Sequence, residues 1–141
     1  MGSRRKAREC ALQLLYQIDV GGGKVSDALE TYWLSQEPDE DVREFANFLV
    51  DGVVKNLSDI DNLISSFSTN WKVSRMASID KNILRLAVYE LTRCPDIPVK
   101  VTINEAVEIA KNYGTEESGA FVNGILDNVA KKHAKGKAVE E

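Results

Sequence analysis

A chain of 141 residues, 43% hydrophobic and 28% charged, can bury a core of its own, as one domain or as two small subdomains sharing an interior. Three prolines and ordinary polarity exclude disorder over most of the length, and no run approaches the ~20 apolar residues that span a bilayer. The net charge is -4, the N-terminus lacks the apolar stretch of a secretory signal, and Cys10 and Cys94 stand far apart, so a reduced cytoplasmic protein without membrane association is expected.

Arg4, Arg5, Lys6 and Arg8 open the chain, four cations within five residues and no acid before Glu9. On a net acidic protein such a cluster makes a local field that attracts polyanions, nucleic acid foremost. At 100° per residue, Ala7, Cys10, Ala11, Leu14 and Ile18 form the core stripe of a first helix. Arg5, Arg8, Leu12 and Tyr16 fall nearly opposite, so both arginines are expected on an outer face. There Leu12 and Tyr16 either pack on another helix or offer a surface on which a partner or base stacks while the arginines hold phosphates.

Gly21, Gly22 and Gly23 end this helix and match no phosphate-binding loop. A second helix is expected from Ser26 as N-cap to Leu34. A third opens at Pro38 with Asp39, Glu40 and Asp41, and buries Val42, Phe45, Ala46, Leu49, Val53 and Val54. From Glu37 to Asp61 eight acids face two bases, a side that nucleic acid should avoid. Ser58 and Asp61 have the spacing of a capping pair for a fourth helix through Ile60, Leu63, Ile64 and Phe67. A polar loop, Ser65 to Asn70, then leads to a short helical connector around Trp71, Val73 and Met76.

Ser78 starts the most apolar helix, whose Ile79, Ile83, Leu84, Leu86, Ala87, Val88 and Leu91 cover about 200° of its circumference. That breadth marks a central helix. Lys81, Asn82, Arg85 and Tyr89 occupy the remaining face, and Glu90, within the apolar arc, needs a partner if buried. Cys94 to Pro98 reads as a rigid turn. Thr102-Ile103-Asn104-Glu105 has the form of a capping box for a helix that stops at Gly114. The last helix begins near Thr115–Ser118, turns Val122, Ile125, Leu126 and Val129 inward, and frays into a lysine-rich tail from about residue 133. No run alternates with period two, so the expected class is all-α with about seven helices.

No catalytic constellation is present. His133 sits in the lysine-rich tail, two distant cysteines cannot assemble a metal cluster, and the acids cluster at helix starts where capping explains them. No cofactor or metal is expected, and binding rather than catalysis is the expected role.

The motifs themselves resemble one family. Arg4 to Glu9 followed by Ala11-Leu12-Gln13 and Leu15-Tyr16-Gln17 is similar to the opening of the NusB family of transcription antitermination factors. Ile79-Asp80-Lys81 with Ile83 to Leu91 is similar to its central helix. Asp96-Ile97-Pro98, Ile103 to Val107 and Phe121 to Asp127 follow in the family's order, so the resemblance runs from Arg4 to about Lys131. It implies two small helical subdomains, about 4–70 and 71–132, with a flexible tail over 133–141. It also implies binding of boxA-type single-stranded RNA jointly with the ribosomal protein NusE, in the complex that carries RNA polymerase through terminators in ribosomal RNA operons. Carried over by position, the RNA contacts are Arg4, Arg5, Lys6 and Arg8, with Lys81, Arg85, Phe121 and Asn123 beside them. Tyr16 and Asp80 match positions of the surface for the protein partner.

Domains similar to this family also occur fused to RNA-modifying methyltransferases, but a cofactor-binding domain does not fit within 141 residues. A homodimeric interaction module, with Leu12 and Tyr16 facing a second copy, is the alternative from another class. A DNA-binding protein would need a recognition helix dense in Arg, Asn and Gln, which the chain lacks.

Overall fold

The computed structural model describes residues 2–68 and 72–133. Among them are seven α-helices and one short 3-10 turn: α1 (Gly2–Gly21), α2 (Val25–Leu34), α3 (Glu40–Lys55), α4 (Leu57–Phe67), the turn at Val73–Arg75, α5 (Ser78–Arg93), α6 (Val99–Tyr113) and α7 (Ser118–His133). No strand occurs among the described residues. Trp71 and the tail beyond His133 lie outside them.

Helix α5 is the axis of the fold. Every residue from Asn82 to Leu91 is buried, and the helix is packed against α1, α3, α4, α6 and α7. This is the central role its broad apolar arc predicts. Leu14, Leu49, Ile64, Leu84, Leu91 and Leu126, all fully buried, come from α1, α3, α4, α5 and α7, and α2 and α6 add Tyr32, Trp33, Ala106, Ile109 and Ala110 to the same core. Each fully buried leucine or isoleucine contributes about 1.5–3 kcal/mol of transfer free energy.

Helix α1 departs from the single-stripe expectation. Leu12 and Leu15 are as buried as Ala7, Cys10, Ala11 and Leu14, because α1 packs on α3 with one side and on α5 with another. Leu12 therefore packs within the domain, while Tyr16, one turn further along α1, remains 40% exposed. After Gly21, the glycines Gly22 and Gly23 take positive φ angles of 71° and 85°, the left-handed turn that only glycine adopts without strain.

Two expected capping arrangements are put to other uses. Helix α6 starts at Val99 behind Pro98, and the Thr102 amide already bonds the Pro98 carbonyl. Thr102 and Glu105 thus lie inside the helix, free to bond other helices. Helix α4 likewise starts at Leu57, with the Ile60 amide on the Asn56 carbonyl, so Ser58 is no cap and Asp61 points to α5. Glycine also serves close packing between α3 and α5. A Cβ on Gly52 would fall 2.1 Å from the Tyr89 ring, so α3 and α5 approach closely only because position 52 has no side chain. At the other end, α7 continues through His133, whose ring lies edge-on to Phe67 with centroids 5.7 Å apart. The flexible tail expected from residue 133 therefore does not include His133 itself.

Candidate nucleic-acid interface

The four N-terminal cations reach four different environments. Lys6 is exposed on α1. Arg4, also exposed, lays its guanidinium over the Phe45 ring of α3, 3.8 Å from the centroid. Arg5 forms a bidentate pair with Glu105 of α6, through Nε to Oε1 and through Nη2 to Oε2 at 2.8 Å, with about a third of its side chain in solvent. Arg8 points inward and forms a second bidentate pair, Nε to Glu90 Oε2 at 2.8 Å and Nη2 to Glu90 Oε1 at 2.9 Å.

The expected outer-face position of Arg8 is corrected by this geometry. Its side chain is only 7% exposed and that of Glu90 only 2%. Glu90 is fixed further by the Thr102 hydroxyl, which donates to Oε1 at 2.8 Å. The reason is that α1 is covered on two sides, so the part of the opposite arc that holds Arg8 and Leu12 is interior as well. Arg8 supplies the partner that a carboxylate inside the apolar arc of α5 demands.

Arg5 and Glu105 set a pH dependence. The hydrogen bond from Arg5 holds the Glu105 carboxyl below its ordinary value of 4.5, against the opposing effect of burial. A depressed folded-state value means that the stabilisation is present above the unfolded value and is lost as pH falls through the folded one. Stability should therefore decline below about pH 4.5, and Glu105→Gln should flatten that limb of the curve. Thermal melts of both chains between pH 3 and 7 check it; parallel curves would show that Glu105 is not the responsible group.

Lys81 and Arg85 form part of an interior-facing ionic network. Arg85 is bidentate to Asp61 of α4, Nε to Oδ1 at 2.9 Å and Nη2 to Oδ2 at 2.8 Å, and its Nη1 donates to Asn82 Oδ1 at 3.0 Å. Asp19 near the end of α1 receives Lys81 Nζ at 2.9 Å and the Ser78 hydroxyl at 2.9 Å, with Arg85 Nη1 at 3.6 Å. Burial alone would raise the Asp19 carboxyl, but the bonds from Lys81 and Ser78 and the charge of Arg85 outweigh it and hold it below the ordinary range. Side-chain exposure is 13% for Lys81 and 10% for Arg85. Both cations are thus committed to joining α1, α4 and α5 rather than presented on a free face.

Phe121 and Asn123 lie on different sides of α7. Phe121, half-buried, lines a groove with Arg75, Met76, Asp80, Glu117 and Ser118. In that groove Asp80 Oδ1 is buried without a hydrogen-bond partner. Tyr16 stands one turn before Asp19, and Asp19 is tied to Ser78 and Lys81 on either side of Asp80, so the fold draws Tyr16 and Asp80 towards the same end of the molecule. Asn123, exposed, lines a second groove with Asn104, Glu108, Lys111 and Gly119.

Lys111 is a cation that sequence reasoning passed over. It is largely exposed, with its Nζ 3.5 Å from Glu108. Its one sequence signal is helical spacing: Asn104, Val107 or Glu108, and Lys111 recur at one turn on α6. Among the described residues no helix is long and apolar enough to cross a membrane, and no group of three or more His, Cys, Asp or Glu could hold a metal ion.

Comparison with known proteins places this geometry. The NusB family model matches residues 5–131. The transcription antitermination protein NusB of Anaeromyxobacter dehalogenans is 56% identical over 132 residues, which span 92% of this chain and 92% of that protein. Among solved structures, T. maritima NusB superposes with a TM-score of 0.86 at 45% identity, covering 93% of this chain and 92% of the other. A structure of antitermination factors NusB and NusE in complex with double-stranded RNA gives 0.84 at 29% identity, covering 93% of this chain and 98% of that one. A match that takes in the basic start of α1, the α5 axis and both α7 grooves leaves one assignment: the chain belongs to the NusB family.

Proposed function

We propose that this protein is an RNA-binding transcription antitermination factor that binds boxA-type single-stranded RNA jointly with the ribosomal protein NusE and promotes transcription of ribosomal RNA operons. The reading is carried by likeness, over nearly the whole chain, to a protein solved with NusE and RNA. It takes the protein as a cytoplasmic binding factor and not an enzyme, built of subdomains that meet at α5.

Within this reading the exposed cations Arg4 and Lys6 make phosphate contacts, with Arg5 sharing its charge between Glu105 and the RNA. Phe121 offers a ring for an unpaired base, and the Asn123 amide can read a base edge. Tyr16 and Asp80 face the protein partner, and the unpaired Asp80 oxygen is suited to a donor from it. Arg8, Lys81 and Arg85 act behind this surface, by holding α1, α4 and α5 in place.

The experiment is RNA binding with and without NusE at several salt concentrations. Two phosphate contacts in a single strand correspond to a log–log salt slope of about -1.4. Arg4→Ala combined with Lys6→Ala should remove roughly that much slope and weaken binding, while the melting temperature stays near that of the parent. An unchanged slope would show that these two cations do not meet phosphate. Equal affinity with and without NusE would overturn the joint site.

A further inference from the structure

Helix α3 carries a stripe that RNA reading leaves unused. Asp41, Glu44, Phe45 and Phe48 recur at i, i+3, i+4 and i+7 and so share one helix face, which Asp51 continues a turn later. The Phe45 and Phe48 rings stack, 6.1 Å between centroids at 19°, and Phe48 meets Tyr89 edge-on at 5.7 Å. Phe48 still leaves 49% of its surface to solvent. Ser3, Arg4, Asp41, Glu44, Phe45 and Phe48 line one open groove.

A cation already occupies half of that groove: the Arg4 guanidinium, seated on Phe45. Of the bases of α3 itself, Arg43 lies over the Trp33 ring at 5.7 Å and Lys55 pairs with Asp51 at 3.0 Å, at the far end of the stripe from Asp41 and Glu44. The open ring therefore stands among carboxylates. Aromatic faces flanked by carboxylates attract a planar, weakly hydrated guanidinium more than an ammonium, and they repel a polynucleotide.

We propose that this stripe docks an arginine-bearing basic segment of a protein partner, one guanidinium stacking on Phe48 as Arg4 stacks on Phe45, with Asp41 and Glu44 supplying the counter-charge. The surface lies on the acidic helix and shares only Arg4 with the RNA reading, so variants at Phe48 and Glu44 test it separately from that reading.

The test is an NMR titration of the isotope-labelled full chain with the peptide acetyl-Gly-Arg-Gly-Arg-Gly-amide, its lysine counterpart and a pyrimidine-rich single-stranded RNA. The arginine peptide should shift amides around Phe48 saturably and bind roughly two- to fivefold more tightly than the lysine peptide. Phe48→Ala should weaken the peptide by roughly two- to fivefold and leave RNA affinity unchanged. Glu44→Gln, which keeps both rings, should weaken the peptide and reduce its salt dependence. Absence of peptide-induced shifts around Phe48 would overturn the proposal. So would RNA shifting those amides with a loss of RNA affinity in Phe48→Ala, which would make the stripe part of a nucleic-acid surface.

Discussion

Arg8→Ala should cost about 3–5 kcal/mol of stability, because it takes both guanidinium bonds from a Glu90 carboxylate buried inside the α5 core. For a domain of this size that is a drop in melting temperature of roughly 10–20 °C. The size of the effect comes from burial. Glu90 is 1% exposed, so water cannot replace the two guanidinium bonds it loses. Replacing the pair together, Arg8→Met with Glu90→Leu, removes the buried charge as well and should recover most of the loss. Thermal melts of the single and double variants decide the matter. A single variant melting within about 2 °C of the parent, under roughly 1 kcal/mol, would show that Glu90 finds another partner. RNA affinity of Arg8→Ala must be measured well below its melting temperature, since a partly unfolded sample would imitate a lost phosphate contact.

Arg85→Ala should cost about 2–3 kcal/mol, less than Arg8→Ala although Arg85 has as many partners. Its carboxylates, Asp61 and Asp19, keep 27% and 23% of their side-chain surface in solvent and can partly rehydrate once the guanidinium is gone. A double-mutant cycle with Asp61→Ala should return a coupling of about 1 kcal/mol or more. The salt slope of RNA binding should not change in Arg85→Ala, because this cation is committed to Asp61, Asn82 and Asp19. A slope reduced by about 0.7 would instead assign Arg85 a phosphate contact.

The two arginines show where sequence reading stops. Arg5, Arg8, Lys81 and Arg85 are alike as residue types, and each falls off the apolar stripe of its own helix. Whether such a residue meets solvent depends on how many other helices cover its helix, which is a property of packing. Arg4 and Lys6 are exposed, whereas Arg8, four and two residues later, is interior, because α3 and α5 both close over α1 there. The capping box at Thr102–Glu105 misled for a related reason. Its side chains suit a helix start, but Pro98 begins the helix one turn earlier, and the same side chains then reach Glu90 and Arg5.

Periodicity alone determined the all-α class, the central place of α5, the inward face of α7 and the need of Glu90 for a partner, since these follow from apolar spacing and the cost of burying charge. The family's motifs added RNA and NusE. Tertiary structure decided which cations are spent on internal carboxylates, which groove Asn123 and Phe121 each face, and that an acidic–aromatic stripe on α3 already holds Arg4. Those outcomes depend on residues 24 to 100 positions apart meeting across helices, Arg85 with Asp61 and Arg5 with Glu105 among them. The periodicity of a single helix carries no record of such a meeting.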